Sequence, residues 1–365
     1  MIERALPFWA TAGFDQARDC FHERLFADGT ADPDAPRRTM VQARQIYVFT
    51  QAAALGWYPG GLSLVQRALA SLRARALEPD GAPGFVHSVT AEGRIADATR
   101  DAYDHAFVLL ALATLSRVQG DTTLRDLIDT TLAFVDAHLT APDGTLFESV
   151  PRRLPRRQNP HMHFYEALLA LQEADAHPSA AARAAIHRAH LDARFLDATS
   201  GTLGEFFDDE WKTLSNDDII EPGHHAEWSH LLHQQARIGG TEVEPLAAHL
   251  LDMATRAADP ATGFVFDGVS RAHAPRVRSR RVWPQTELAK AWLVAHERGH
   301  PGADAHVARL LQSVTRDYLG VPCAGGYHDK RDENGATVGS TMPASTLYHF
   351  FSAALEAHRQ LERAA

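Results

Sequence analysis

The pattern that decides the fold is clearest in one stretch, Glu221-Pro222-Gly223-His224-His225-Ala226-Glu227-Trp228-Ser229-His230-Leu231-Leu232. Pro222 and Gly223 interrupt the preceding segment, and an apolar-periodic helix follows at once. His224 and Glu227 are three residues apart, so they share one face of that helix. A carboxylate beside an imidazole can fix its tautomer and raise its basicity, which suits a proton-transfer pair. Taken alone, the stretch also fits a helix cap with exposed histidines.

Similar helix starts recur along the chain at a nearly constant spacing. Five positions lie about sixty residues apart, at a period typical of repeat folds: Tyr103, His163, Glu227, Glu287 and His349. Each follows a loop that combines glycine with an aromatic residue, as Gly84-Phe85-Val86-His87-Ser88 does. Self-similarity at a fixed period indicates stacked supersecondary units, which here are helical hairpins.

Two kinds of helix alternate in this repeat. Of about twelve predicted helices, the first three lie near Pro7–Phe26, Met40–Leu55 and Leu62–Leu77. Helices that precede the long loops are amphipathic, as an outer ring facing water would be: Leu124–Leu139, Ala180–Leu196, Val243–Ala257 and Ala303–Tyr318. Helices that follow the loops are apolar nearly all round, as an inner ring buried on both sides would be.

The alternation predicts an all-α fold, an (α/α)6 barrel of six helical hairpins with inner and outer helix rings. We expect residues 1–365 to form it as a single domain. An open α-solenoid shares the local pattern, but it needs no polar cluster at every inner-helix start.

Composition excludes several classes of function. The chain is 45% hydrophobic and 22% charged, as soluble globular proteins are, and its net charge of −10 argues against a nucleic-acid partner. No apolar run is long enough to cross a membrane, and Met1–Pro7 lacks the pattern of a signal peptide. Two cysteines, Cys20 and Cys323, form no disulfide framework, which fits a reducing cytoplasm. The sequence is compatible with a homodimer.

If the inner-helix starts converge, they form one pocket. Its predicted side chains are Arg44, Tyr103, His105, Asn159, His163, His224, Glu227, Trp283, Gln285, Glu287 and His349. Hydrogen-bonding groups mixed with aromatic faces suit a sugar, and histidines suit proton transfer near neutral pH. Core packing is the alternative for His105, His163 and Trp283. A metal bound by His161, His163 and His224 or His225 is conceivable, but no ordinary ligand spacing such as HExxH occurs, so no metal is predicted.

Six ordered motifs resemble those of the N-acylglucosamine 2-epimerase superfamily. They are Arg44-Gln45-Ile46-Tyr47-Val48-Phe49, Tyr103-Asp104-His105-Ala106-Phe107, Asn159-Pro160-His161-Met162-His163, Pro222-Gly223-His224-His225-Ala226-Glu227-Trp228, Arg281-Val282-Trp283-Pro284-Gln285-Thr286-Glu287 and Ser345-Thr346-Leu347-Tyr348-His349. That superfamily has an (α/α)6 barrel and contains 2-epimerases and aldose–ketose isomerases. Tyr47 and the His-Met-His triplet are more similar to the mannose isomerase and sulfoquinovose isomerase branch than to the cellobiose 2-epimerase branch.

The resemblance implies a role for each matching residue and no cofactor. His349 would move the proton between C2 and C1 through a cis-enediol. His224 would assist ring opening or act as the opposing acid or base, with support from Glu227. Arg44, Asn159 and His163 would bind the sugar and polarise its O1/O2 region.

The predicted activity is therefore the interconversion of D-mannose and D-fructose by an aldose–ketose isomerase. Alternatives are a sugar 2-epimerase, or an isomerase of a phosphorylated or sulfonated sugar, which arginines in two loops could bind: Arg152, Arg153, Arg156, Arg157, Arg276, Arg278, Arg280 and Arg281. A glycoside hydrolase would need two carboxyl groups flanking the bond, for which Glu227 and Glu287 are candidates. A binding scaffold without chemistry is the third class.

Overall fold

The computed structural model describes residues 2–120, 122–214, 218–239 and 242–364. Within these ranges the chain forms twelve α-helices: α1 Ile2–Thr11, α2 Thr39–Ala54, α3 Gly61–Ala76, α4 Ala102–Gln119, α5 Arg125–Phe134, α6 Asn159–Glu173, α7 Ala180–His190, α8 Pro222–Gly239, α9 Glu244–Arg256, α10 Val282–Glu297, α11 Ala303–Tyr318 and α12 Ala344–Ala364. Helices α5 and α7 each continue into one turn of π-helix, Val135–Leu139 and Leu191–Phe195.

The even-numbered helices form a closed inner ring. Each packs against the next in chain order, and α12 packs against α2. Helices α3, α5, α7, α9 and α11 pack outside the ring, each against the inner helix that precedes it in the chain. Helix α1 completes the outer ring, where Trp9 stacks on Tyr327 of the loop before α12 with 5.5 Å between the ring centroids. The predicted (α/α)6 barrel is confirmed.

Burial follows the two patterns that the sequence shows. In the inner helix α4, all residues from Asp104 to Ser116 are buried. In the outer helix α3, Val65, Leu69 and Leu72 are buried, whereas Arg73 on the opposite face is exposed. Among the described residues, none of the helices combines the length and the apolar character that crossing a membrane requires.

Short strands join each repeat to the next one. They are β1 Phe14–Asp15, β2 Cys20–Phe21, β3 Arg24–Phe26, β4 Arg37–Arg38, β5 Ser88–Val89, β6 Ile95–Asp97, β7 Arg100–Asp101, β8 Ser149–Val150, β9 Arg156–Arg157, β10 Phe206–Phe207, β11 Ile219–Ile220, β12 Gly268–Ser270, β13 Pro275–Val277, β14 Arg280–Arg281, β15 Lys330–Arg331, β16 Thr337–Val338 and β17 Thr341–Pro343. The strand before each inner helix pairs antiparallel with a loop strand of the following repeat, in the ladders β4–β5, β7–β8, β9–β10, β11–β12 and β14–β15. The last ladder, β17–β3, pairs Met342 with Leu25 and closes the circle.

A buried side chain near each inner-helix start holds the preceding loop. In five repeats it accepts a hydrogen bond from a loop backbone N–H, through Gln42, His105, His161, His225 and Gln285. His105 illustrates the contact, since its Nε2 accepts from Phe85 N at 3.0 Å while its Nδ1 donates to the Asp101 carbonyl at 2.7 Å. A buried backbone N–H needs such a partner, so these side chains fix the loops to the barrel.

The structure corrects the prediction of a helix over Pro7–Phe26. The helix spans Ile2–Thr11 and carries Pro7 inside it, whereas proline is most often found at the first helical position. A Cβ on Gly13 would lie 2.6 Å from the Trp9 carbonyl oxygen, so glycine permits the chain to turn sharply there. The remainder of the predicted helix is the β1–β2 hairpin and β3.

Candidate active site

The six inner helices each place one side chain in a common layer near the barrel axis. From α2 to α12 these are Arg44, Phe107, His163, Glu227, Glu287 and His349. Neighbours in the layer touch, since Arg44 Cζ lies 4.1 Å from the Phe107 ring centroid and the Phe107 and His163 centroids are 4.6 Å apart. His163 Nε2 lies 3.8 Å from Glu227 Oε1. The repeat thus brings together residues that are hundreds of positions apart in the chain.

A cavity of about 440 Å³ lies at the end of the barrel where the inner helices begin. Its volume is in the range of small-molecule binding sites. It is lined by eight of the eleven predicted residues, namely Arg44, Tyr103, Asn159, His163, His224, Glu227, Trp283 and His349. We call it the cleft.

His349 is neutral at pH 7. Its Nδ1 lies 2.8 Å from Glu287 Oε1, which fixes the tautomer with the proton on Nδ1 and the lone pair on Nε2. Burial lowers the pKa of His349 to about 4; the Glu287 hydrogen bond opposes the shift, and the positive charge of Arg44 adds to it. A neutral imidazole that lines the cleft can act as a general base.

His224 carries a charge at pH 7. Burial alone would lower its pKa, but the Glu205 carboxylate, with Glu221, outweighs burial and raises the pKa to about 9. Its Nδ1 lies 2.8 Å from Glu205 Oε2. A charged imidazole in the cleft can act as a general acid. The structure therefore corrects the predicted pairing of His224 with Glu227, because the hydrogen-bonding partner is Glu205.

Glu227 is a buried carboxyl group beside the two histidines. It is 2% exposed, and among the described residues its Oε1 has no hydrogen-bond partner. Burial and the nearby Glu287 carboxylate raise the pKa of Glu227 well above its usual range. The raised pKa favours the protonated form of Glu227, which can donate a hydrogen bond into the cleft.

Arg44 faces the cleft without a carboxylate partner among the described residues. Its Nη2 donates to Tyr103 Oη at 2.7 Å, and its guanidinium lies over the Phe107 and Tyr348 rings, 4.1 Å and 4.9 Å from their centroids. Aromatic faces stabilise a cation while leaving part of its charge free for a ligand. Arg44 can thus stabilise a negative oxygen in the cleft.

Asn159, His163 and Trp283 complete the lining. His163 Nδ1 is held by Glu166 Oε2 at 2.9 Å, and Asn159 Oδ1 is buried without a partner among the described residues. The Trp283 ring lies between the two candidate catalytic histidines, 5.1 Å from the His224 ring and 5.8 Å from the His349 ring. It offers the flat apolar face on which a sugar ring can stack.

Three predicted binding residues lie outside the cleft. His105 and Gln285 are completely buried and hold the loop backbone at Phe85 and Val265, so each supports a loop and is not available to a ligand. Glu287 is also fully buried, and its two oxygens contact His349 Nδ1 and Lys290 Nζ. It orients His349, and the prediction that it binds the sugar is corrected.

Sequence reasoning missed the acidic residues that anchor the helix starts. These residues are Glu23, Glu148, Glu205 and Asp267. Each lies two positions after the loop residue whose backbone N–H is bound by an inner-helix side chain. Glu148 shows the usual arrangement, because it accepts from both the backbone N and Nε of Arg157 at 2.6 Å. In the fourth repeat a glutamate, Glu221, replaces the arginine, so Glu205 binds Glu221 N and has an oxygen available for His224. The recurring acidic position was a signal that could have found Glu205.

The loop arginines are mostly paired. Three arginines line the cleft, and each contacts a carboxylate. Arg157 contacts Glu148, Arg281 contacts Glu221 and Asp267, and Arg38 contacts Glu23. The other predicted arginines lie elsewhere and are also engaged, through Arg152–Asp209, Arg153–Asp101, Arg276–Asp218, Arg278–Glu333, Arg280–Asp259 and hydrogen bonds from Arg156 to Thr145 and the Leu146 carbonyl.

Two groups of side chains have the composition of a metal site. They are His163–Glu166–Glu227 and Glu227–Glu287–His349, in each of which the ligand-type atoms lie within 4.8 Å of one another. Lys290 Nζ lies 2.6 Å from Glu287 Oε2 and already supplies a positive charge there. His161, which the sequence offered as a ligand, binds the backbone N–H of Leu146.

Comparisons with known proteins show the family and the fold. The sequence profile of the family described as N-acylglucosamine 2-epimerase (GlcNAc 2-epimerase) matches residues 20–353. A relative named mannose-6-phosphate isomerase, from Rhizobium meliloti (strain 1021), is 34% identical over 385 residues, which cover 99% of this chain and 95% of the relative. One named D-mannose isomerase, from Thermobifida fusca, is 27% identical and covers 90% and 86%. A crystal structure of D-mannose isomerase has the same fold, with a TM-score of 0.90 at 22% identity, covering 98% of this chain and 96% of that one.

Proposed function

The chain belongs to the N-acylglucosamine 2-epimerase family, and on that premise we propose that it is an aldose–ketose isomerase interconverting D-mannose and D-fructose. The observation that carries the proposal is a pair of histidines in one cleft with opposite charge states, His349 neutral and His224 charged. Isomerisation through an enediol needs a base that accepts a proton from carbon and donors that stabilise the developing oxyanion.

His349 is the base in this proposal. Its Nε2 takes the proton from C2 of the open-chain aldose, and the C–H electron pair forms the C1–C2 double bond of an enediolate as negative charge moves to O1. The proton of O2 passes to O1, and the same imidazole then returns its proton to C1 as O2 becomes the ketone oxygen. Arg44 stabilises negative charge on O1 and O2, since its guanidinium lacks a carboxylate partner among the described residues.

His224 is the acid that opens the sugar ring. Its charged imidazole donates a proton to the ring oxygen as the C1–O5 bond breaks. The imidazole then takes the proton that the anomeric hydroxyl loses on becoming the aldehyde, which restores the cation that the Glu205 carboxylate stabilises. Trp283, between the two histidines, supports the apolar face of the sugar. Asn159 and the Glu227 carboxyl group, whose raised pKa favours its protonated form, supply hydrogen bonds to hydroxyl groups.

The substrate we propose is an uncharged monosaccharide. A phosphate group needs cations that are not already neutralised, and Arg44, which lacks a carboxylate partner among the described residues, is assigned here to O1 and O2. Arg38, Arg157 and Arg281, at the cleft, are each within 3.0 Å of a carboxylate oxygen of a loop or a neighbouring helix start. Those ion pairs favour free mannose over its 6-phosphate.

The test is incubation with mannose, glucose, fructose and mannose 6-phosphate in D₂O, followed by NMR. We expect mannose to give fructose, with deuterium entering only at C1 and C2. Formation of glucose from mannose without fructose would establish a 2-epimerase instead. Turnover of mannose 6-phosphate alone would contradict the uncharged substrate but not the isomerase, and no exchange on any sugar would refute the enzyme proposal.

A further inference from the structure

Lys290 is a buried lysine one helical turn deeper in the barrel than Glu287. It is 3% exposed, and its Nζ lies 2.6 Å from Glu287 Oε2. The other oxygen of Glu287 lies 2.8 Å from His349 Nδ1. The three side chains therefore form a chain of contacts that runs from the barrel interior to the cleft.

We propose that Lys290 is a positioning residue for the reaction, whose ammonium holds Glu287 as the carboxylate that orients His349. This inference rests on the proposed function of the cleft. Lys290 itself does not line the cleft, so it acts on His349 only through Glu287.

The need for the ammonium follows from burial. Glu287 is completely buried, and a buried carboxylate is stable only when it is paired and hydrogen-bonded. Without the lysine, the Glu287–His349 pair would hold an extra proton at neutral pH. Whether that proton sat on the carboxylate or on the imidazole, the base would be lost.

The charged surroundings make Lys290 the central cation of the barrel interior. Its charge interacts with titratable groups on all the inner helices except α4, namely Tyr47 of α2, Glu166 of α6, Glu227 and His230 of α8, Glu287 of α10 and His349 of α12. Core packing alone would favour an apolar side chain at this position, because a buried ion pair is seldom more stable than a hydrophobic pair of the same volume. The lysine is therefore explained by its effect on Glu287.

The first experiment compares Lys290→Met with the wild type and with Lys290→Arg, which keeps the charge. We expect Lys290→Met to lower kcat at least about tenfold, with KM nearly unchanged. The acid limb of its pH–rate profile should move up by about 1–3 pH units, because the Lys290 charge no longer opposes proton uptake by His349. The titratable and charged groups around His349 are Glu287 and Lys290 of α10, Glu227 of α8 and Arg44 of α2. The Lys290→Met substitution changes only one of them. Lys212→Met, at an exposed lysine, is the matched control and should behave as wild type.

A double-mutant cycle separates positioning from a merely structural role. Once Glu287→Gln has removed the carboxylate, adding Lys290→Met should cause no further loss of kcat. The double variant contains no unpaired charge from this pair, so it remains informative if Lys290→Met alone does not fold. Multiplicative losses of kcat in the double variant would overturn the proposal.

A measurement without turnover keeps the test independent of the proposed function. In protein labelled with ¹⁵N-histidine, the His349 signal is assigned with His349→Gln and titrated by NMR. We expect it to titrate at higher pH in Lys290→Met than in the wild type and in Lys290→Arg. An unchanged titration refutes the role of Lys290, whereas absence of deuterium exchange in the wild type would refute the isomerase alone.

Discussion

His349 and His224 are the same type of residue, yet the barrel holds them in opposite charge states. Both are at most 6% exposed, so burial disfavours the charged form of each. The difference lies in their partners. Glu205 and Glu221 together outweigh burial at His224, whereas at His349 the effect of Glu287 is opposed by Arg44 and Lys290. The proposed division into one base and one acid therefore follows from the charged partners of each histidine.

Substitution of each histidine should separate their tasks. We expect His349→Ala to abolish deuterium exchange at C2 of mannose, a loss of about 10²–10⁴-fold, while sugar binding persists. His224→Ala should turn over slowly but retain slow exchange at C2, because a small fraction of mannose is open-chain in solution without a catalyst. The measurement is deuterium entry at C2 by NMR, with binding followed by calorimetry. Near wild-type exchange in His349→Ala together with none in His224→Ala would reverse the two assignments.

The pH profile should report the same two residues. His349 must be neutral and His224 charged, so kcat/KM should fall below about pH 4 and above about pH 9. Glu205→Gln keeps the hydrogen-bonding shape but removes the charge, which lowers the pKa of His224 and should move the alkaline limb down by about 1–3 units. Glu148→Gln, at the equivalent loop position beside Arg157, should leave that limb in place. An unmoved limb in Glu205→Gln would mean that another group titrates there.

Activity should not depend on a divalent metal ion. Glu287 is already paired with the Lys290 ammonium and His349 Nδ1, which leaves it a poor cation ligand. We expect turnover to be unchanged after dialysis against EDTA. Loss of turnover that zinc, manganese or cobalt restores would assign a metal to the Glu227–Glu287–His349 group.

At the level of single residues, the sequence predicted positions better than partners. Spacing and motifs found eight residues that line the cleft, because a repeat fixes the depth of each side chain in the barrel. The sequence alone could not show that His224 binds Glu205, which lies nineteen positions earlier in a loop, because Glu227 is nearer in the chain. Nor could it separate His105, which holds a loop, from His163, which lines the cleft, because both are buried histidines of inner helices.

At the level of secondary structure, the inner helices and their loops form one interlocked unit. His105, His225 and Gln285 each accept a hydrogen bond from a loop N–H, so histidine and glutamine are interchangeable for this purpose within the chain itself. The helices were predictable because their apolar patterns are long. The strands of two or three residues were not, since their pairing depends on loops that meet only after the ring has formed.

Exchange of His105 should follow that equivalence. We expect His105→Gln to fold and to retain wild-type kcat/KM, because the amide can accept from Phe85 N as Gln285 accepts from Val265 N. His105→Leu leaves the Phe85 N–H buried and unpaired, which should lower the free energy of unfolding by about 1–3 kcal/mol. Urea unfolding at pH 7.5 measures the free energy of unfolding of the two variants, and a turnover assay measures kcat/KM. Equal loss in the two variants would show that the hydrogen bond is not what His105 contributes.

At the level of the whole molecule, the barrel is closed twice. Helix α12 packs against α2 in the inner ring, and strand β17 pairs with β3 in the loops, so the two ends of the chain support each other. We propose that residues 1–365 unfold as one cooperative domain. Calorimetry should then show a single transition, and two separable transitions would contradict this.

That transition should move to lower temperature as the pH falls from about 6.5 to about 4. His105 and His225 are buried without charge, and burial lowers the pKa of each to about 4. Between that value and the ordinary pKa of about 6.5, the unfolded chain binds more protons than the folded one, so acid favours unfolding. Each histidine can contribute up to about 3 kcal/mol at about 1.4 kcal/mol per pKa unit. His224 has the opposite shift, but its contribution is constant below pH 6.5 and is lost only toward pH 9.

The test is calorimetry across this pH range on the wild type and on His105→Gln with His225→Gln. Glutamine does not titrate, so the double variant should lose less stability on acidification while keeping both loop hydrogen bonds. Carboxylates with lowered pKa, such as Glu287 with a pKa of about 2, add to the slope only below about pH 5, where the unfolded chain begins to protonate them, and they do so equally in the wild type and the double variant. An equally steep fall of Tm in the double variant would show that groups other than His105 and His225 take up the protons.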